Sequence, residues 1–141
     1  MYDDILVPID LGHPEASHKA IRSACQIAKG CDAVLHLLTV VQPLDSFTST
    51  FFPSGFTHDA TEAAQKALHA FSDAQDLAGM KVHHIVAHGA IYDQILAMSQ
   101  KVGASIIVMT SHRPELSDYL LGPNAAKVVR HANCSVMIVR E

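Results

Sequence analysis

The chain has few of the residues that cross-link proteins, span membranes or bind nucleic acids. Its 3 cysteines are an odd number without a C-x-x-C pair, so neither a disulfide framework nor a structural zinc site is expected, and we interpret them as buried apolar residues. No apolar run reaches the roughly 18 residues that a membrane span needs. The net charge of −4 and the lack of a Lys/Arg cluster disfavour nucleic acid, so we expect neither a nucleic-acid partner nor a membrane partner.

The N-terminus also lacks the features of a secretory signal. Asp3 and Asp4 stand where such a signal would have basic residues, and the apolar stretch that follows them is too short. The chain does have a large apolar fraction, 49% of its 141 residues, with 17% charged residues. This composition is typical of one globular domain that buries a core. We therefore expect a single cytoplasmic domain over residues 1–141.

Strand-like and helix-like segments alternate along this domain. Continuous apolar runs, which are typical of buried parallel strands, occur at residues 5–9, 33–41, 82–87, 106–109 and 136–139. The first of the intervening helices is predicted to begin at Pro14 and to end at Gly30. The second is predicted to begin at the capping-box pair Asp59 and Glu62. Its buried stripe is predicted to be Ala60, Ala64, Ala67, Leu68, Phe71 and Ala78.

Five strands separated by four helices predict an α/β fold with a doubly wound five-stranded parallel sheet and helices on both faces. In such folds, ligands bind at the carboxyl ends of the strands, where the strand order reverses. With the order 3-2-1-4-5, this crevice lies between Asp10, after the first strand, and the loop from Thr110 to Arg113. A helix that begins at Gly122 and Pro123 follows, and a helix N-terminus favours anions such as phosphate.

Several of these segments together resemble the universal stress protein family. They are the run ILVPID at residues 5–10, Leu120-Leu121-Gly122 before the last helix, and residues 128–139 at the end. The loop Ser111-His112-Arg113-Pro114 resembles one subgroup of that family. The resemblance covers nearly the whole chain. It implies a small cytoplasmic stress-response domain, and a homodimer that pairs through the last strand, from Val136 to Val139.

One branch of that family binds ATP or AMP through a phosphate loop of the form G-x2-G-x9-G-S/T, from which this chain departs. Thr110 and Arg113 stand at the first two glycine positions, eight residues separate Arg113 from Gly122, and Pro123 replaces the hydroxyl residue. Side chains at glycine positions narrow a phosphate cradle, and proline removes a donor. The guanidinium of Arg113 offers phosphate a forked donor in return.

The resemblance implies that ATP or AMP, with or without Mg²⁺, binds between the first and fourth strands. Two of the candidate residues also have a structural interpretation: Asp10 could cap the next turn, and His112 could be held by a backbone carbonyl. No catalytic residue or metal ligand is assigned, since the adjacent residues His83 and His84 point to opposite faces of a strand. The candidate nucleotide contacts are Pro8, Ile9, Asp10, Val40, Met109, Thr110, His112, Arg113, Gly122, Pro123, Asn124 and Ala125.

Three functions follow from these residues: a nucleotide-binding stress-response module, which we favour, a nucleotide-free dimeric adaptor, and a slow ATP hydrolase. Catalysis is disfavoured because the loop region has no evident general base or acidic metal cluster. The segment from Gln42 to His58 contains four of the five phenylalanines and is long for a connection. It is interpreted as a lid, as a surface for a partner, or as a satellite apolar cluster.

Overall fold

The computed structural model describes residues 1–42, 56–111 and 123–140. In these residues, strands and helices alternate as predicted, and every predicted element is present. The elements are β1 (Asp4–Pro8), α1 (Pro14–Cys31), β2 (Val34–Val41), α2 (Phe56–Asp73), β3 (Lys81–His88), α3 (Ile91–Lys101), β4 (Ile106–Thr110), α4 (Pro123–His131) and β5 (Ser135–Val139).

The five strands form one parallel sheet in the order β3-β2-β1-β4-β5, which confirms the predicted fold class and strand order. Because side chains alternate along a strand, β1 contributes Ile5 and Val7 to one face and Leu6 to the other. The first face packs against α1 and α2, and the second packs against α3 and α4. Both faces are therefore buried, as the continuous apolar strands predicted.

The end of α1 differs from the prediction. Gly30 is helical, and the helix continues to Cys31. The left-handed residue that ends it is Asp32, with φ 53° and ψ 44°, whose N–H donates to the carbonyl of Ala28. Aspartate is among the few residues besides glycine that adopt this conformation readily, so a glycine was not required at this position. The prediction of a buried Cys31 is also wrong, because this last helical residue lies on the solvent side.

The start of α2 also differs. The helix begins at Phe56, so Asp59 lies in its first turn and does not cap it. Leu68 and Phe71 are buried as predicted, whereas Ala67 is exposed and Ala78 lies beyond the helix end and is exposed. The earlier start shortens the predicted long connection, whose residues 43–55 lie outside the described residues. Within the described ranges, no helix combines the length and the apolar character that crossing a membrane would require.

Candidate functional site

The two central strands separate before they end. β1 and β4 are paired at two positions, Ile5 with Ile106 and Leu6 with Ile107. By contrast, β1 pairs with β2 along its whole length, and β4 pairs with β5 along its whole length. Among the described residues, the carboxyl-terminal part of β1 thus pairs with β2 and that of β4 pairs with β5, but these two parts do not pair with each other. This is the point at which the strand order reverses, where α/β folds bind ligands.

Pro8 accounts for the loss of pairing. The N–H of Ile9 donates to the carbonyl of Leu38 in β2 at 2.7 Å. Successive residues of a strand point their backbone groups to opposite sides, so the backbone nitrogen of Pro8 faces β4. Proline has no N–H, and the next ladder bond from β1 to β4 cannot form. A residue that is visible in the sequence therefore separates the two strands at their carboxyl ends.

Asp10 lies at the mouth of this crevice, in the turn between β1 and α1. Its side chain is exposed, and its Oδ1 accepts the N–H of Gly12 at 2.9 Å. Its own N–H donates to Oγ of Ser17 at 3.2 Å, and its carbonyl accepts the N–H of His13 at 3.1 Å. Asp10 thus closes a turn, one of the two roles considered for it, and α1 itself has no side-chain cap at His13. These bonds hold the carboxylate at the strand end in one position.

Ser17 is a supporting residue that the sequence pattern did not indicate. It lies in the first part of α1, is 2% exposed, and its hydroxyl accepts the N–H of Asp10. A serine on the buried side of a helix would be costly without a partner. The N–H of Asp10, directly after β1, is that partner. The signal in the sequence was the position of Ser17 on the buried side, next to Ala16 and one turn before Ala20 and Ile21.

The other predicted residues at strand ends lie, like Asp10, at the carboxyl-terminal end of the sheet. Val40 is half-buried near the end of β2, and the next residue, Val41, accepts the N–H of Gly89 through its carbonyl at 3.1 Å. Thr110 is half-buried at the end of β4 and is paired with Val139. Parallel pairing of β2, β1 and β4 therefore places a common set of residues at the carboxyl-terminal end of the sheet: Val40, Pro8, Ile9, Asp10 and Thr110.

The first turn of α4 contributes fewer polar groups than a phosphate site would ideally offer. Pro123 is exposed and has no N–H, and Asn124 is half-buried. Ala125 is 3% exposed and Met109 is 7% exposed, and both belong to the same apolar cluster on the α3 and α4 face. The side chains of Met109 and Ala125 therefore pack in the core, and their backbone groups are what they can offer a ligand. His112, Arg113 and Gly122 lie outside the described residues.

The histidines of β3 separate as predicted. His83 contacts His36 of β2 on one face of the sheet, with ring centroids 5.1 Å apart, whereas His84 contacts His69 of α2 on the other face. In the described part of the chain, no three His, Cys, Asp or Glu side chains are grouped so that they could hold a metal ion.

Comparison with known proteins agrees with this architecture. Residues 1–140 match the model of the Universal stress protein family. Universal stress protein G of Escherichia coli O157:H7 is 35% identical over 147 residues, covering 99% of this chain and 100% of that protein. The solved structure of the hypothetical protein MJ0577 superimposes with a TM-score of 0.82 at 25% identity, covering 100% of this chain and 97% of that one.

A further solved neighbour is a universal stress protein in complex with cAMP, with a TM-score of 0.64, 21% identity and coverage of 98% of this chain and 97% of that one. At this identity, the likeness concerns the fold. The match to the family over residues 1–140 and the relative at 35% identity are sufficient for assignment. The chain belongs to the universal stress protein family.

Proposed function

We propose that this protein is a cytoplasmic stress-response module that binds an adenine nucleotide, ATP or AMP, in the crevice between β1 and β4. The observation that carries the proposal is the early end of the β1–β4 ladder at Leu6 and Ile107, beyond which Pro8 cannot donate. A planar base or a phosphate chain needs such an opening at the switch point of the sheet.

The environment of Asp10 is compatible with a ligand. A carboxylate offers about four acceptor positions, so the bond from Gly12 and a bond from a ribose hydroxyl can coexist. The half-buried Val40, at the end of the neighbouring strand, offers an apolar wall to a base. The neighbour in complex with cAMP, which is also an adenine nucleotide, supports this ligand class. The role of the protein would then be recognition, with Mg²⁺ accompanying ATP where it binds.

A second copy of the chain is the partner that we propose along β5. This strand lies at the edge of the sheet, and its central residue, Met137, is 38% exposed. The strand contains no proline and no charged residue. Such an edge readily pairs with another strand. Pairing of the two copies of Val136 to Val139 about a two-fold axis would bury it.

The nucleotide proposal is tested first on the purified protein. Denaturation followed by mass spectrometry should release ATP or AMP, and calorimetry of the emptied protein should show saturable heat with ATP or AMP. Absence of both signals would contradict the proposal and favour a nucleotide-free dimeric adaptor. The same adaptor is favoured by the missing donor at Pro123, which weakens the start of α4 as a phosphate site.

Substitution of Asp10 then tests the location of the site. We expect Asp10→Ala to weaken ATP binding about tenfold or more, since a hydrogen bond to a charged group contributes about 1.5–3 kcal/mol. Asp10→Asn retains an oxygen that can accept the N–H of Gly12 but removes the charge. A loss of affinity in this variant therefore reflects lost contact with the ligand and not a disrupted turn. The matched control is Asp32→Asn, which changes an exposed aspartate at the far end of α1 and should leave affinity unchanged. Equal affinities of all three variants would place the nucleotide elsewhere.

A further inference from the structure

Two histidines join α2 to the edge strand β3. The rings of His69, on α2, and His84, on β3, are stacked with centroids 3.8 Å apart and planes at 27°. The Nε2 atom of His84 is buried and has no hydrogen-bond partner. A buried ring nitrogen without a partner is costly, and it becomes more costly when the ring is charged. The contact is therefore favourable chiefly when the ring of His84 is neutral.

We infer that the His69–His84 stack is a pH-sensitive contact that holds α2 on β3 at neutral pH and releases the helix under mild acid. Protonation of His84 places a cation against the ring of His69 at stacking distance. The buried Nε2 of His84 cannot be hydrated while the stack is intact, so acid favours the separated state.

Burial and the neighbouring charged groups determine the direction of this effect. Burial lowers the pKa of His84, the neighbouring His69 and His83 lower it further, and Asp73, one helical turn after His69, opposes them. Since the net shift is downward, the unfolded segment binds more protons than the folded one below the ordinary histidine value of about 6.5. The stability that this contact provides is therefore present above that pH. It is lost as the pH falls from there through the lower pKa of the folded state.

Other titratable side chains near α2 have hydrogen-bond or ring contacts of their own. His88 of β3 shares a hydrogen bond with Oγ1 of Thr61, and His18 of α1 shares one with Oε1 of Gln75 through its Nδ1 at 3.1 Å. A protonated imidazole nitrogen can still donate to either oxygen. His83 touches His36 on the opposite face, where Nε2 of His36 meets the carboxylate of Asp4. Arg22 and Asp76 line the cleft between α1 and the turn after α2.

The apolar attachment of α2 is small enough for one contact to matter. Within the described residues of the helix, Leu68, Phe71 and Ser72 are buried, and the others are half-buried or exposed. The helix also lies on the edge strand β3 and its neighbour β2, whereas α1 covers the centre of the sheet. Separation of α2 would thus uncover part of the core around Leu35 and Leu37 while β1 and β4 remain paired.

Hydrogen exchange of the full chain at pH 7.5 and pH 5.5, corrected for intrinsic exchange rates, tests the inference. We expect amides of α2 to lose protection by about three- to tenfold at the lower pH, the range that one histidine with a lowered pKa can supply. Amides of β1 and β4 should keep theirs. Unchanged protection of α2, or an equal loss in β1 and β4, would overturn the proposal.

Variants identify the group responsible. The double variant His69→Phe with His84→Phe retains two stacked rings without a titrating nitrogen and should hold α2 equally at both pH values. His58→Gln changes an exposed histidine on the same helix and should behave as the parent protein. An acid loss that persists in the double variant would refute the proposal.

If the double variant does not fold, an NMR titration of the parent protein decides the matter. We expect His84 to titrate below 6.5 together with amide shifts in α2. Titration at or above 6.5, or without those shifts, would overturn the inference.

Discussion

The two edges of the sheet differ in chemistry. The β3 edge contains Lys81 and three histidines, and α2 packs against it through a ring stack and a hydrogen bond. The β5 edge contains Ser135 and four apolar residues, among them the exposed Met137. Charged and polar groups on an edge strand discourage pairing with another chain, and an apolar edge without them permits it. This difference supports the proposed dimer through β5 and the inferred pH-sensitive contact at β3.

The largest effect is expected from a charge on the apolar edge. In the proposed dimer, Met137→Asp places two carboxylates near the two-fold axis and removes apolar contact. We expect the dimer dissociation constant to rise about a hundredfold, equivalent to about 2.7 kcal/mol. Analytical ultracentrifugation over a concentration series measures it. Lys81→Asp at the other edge is the control and should leave the mass unchanged. A parent protein that is monomeric throughout would exclude the β5 dimer.

A smaller effect is expected from the glycines that follow β3 and precede β4. Gly89 has φ 138°, and an added Cβ would lie 2.8 Å from Nε2 of Gln94, whereas Gly103 has φ 67° and open space around it. We expect Gly89→Ala to lower the free energy of unfolding by about 2 kcal/mol and Gly103→Ala by about 1 kcal/mol. Urea unfolding measures both. Equal losses would mean that the turn after β3 relaxes around the new side chain.

The smallest effect is expected from the polar contact on the other face of the sheet. Nε2 of His36, a residue that is 5% exposed, lies 2.8 Å from Oδ1 of Asp4. Asp4→Asn retains an acceptor and removes its charge, so we expect a loss of about 1 kcal/mol in urea unfolding at pH 7. The neighbouring Asp3 is exposed, and Asp3→Asn should cost less than about 0.5 kcal/mol, the usual range for surface changes. A larger loss for Asp3→Asn than for Asp4→Asn would contradict this assignment.

The candidate site was partly readable from the sequence. Pro8, within an apolar run, and Asp10, directly after that run, are visible in the sequence. Because the strands are parallel, the strand order places both residues at the carboxyl-terminal end of the sheet. The sequence does not show which neighbouring strand the nitrogen of Pro8 faces. The hydrogen bond from Ile9 to Leu38 in the structure shows this, because backbone groups alternate sides along a strand and one known direction gives the others. The hydrogen bond from the N–H of Asp10 to the hydroxyl of Ser17 was likewise visible only in the folded turn.

By itself, the sequence determined the number, type and order of the elements, because hydropathy period and strand continuity are local properties of neighbouring residues. It did not determine that α1 ends at Asp32, since several residue types can take the left-handed conformation there. The contact between His69 and His84 was decided by tertiary structure alone. These residues lie on different elements, and the packing of α2 across the sheet, which depends on many contacts at once, brings their rings together.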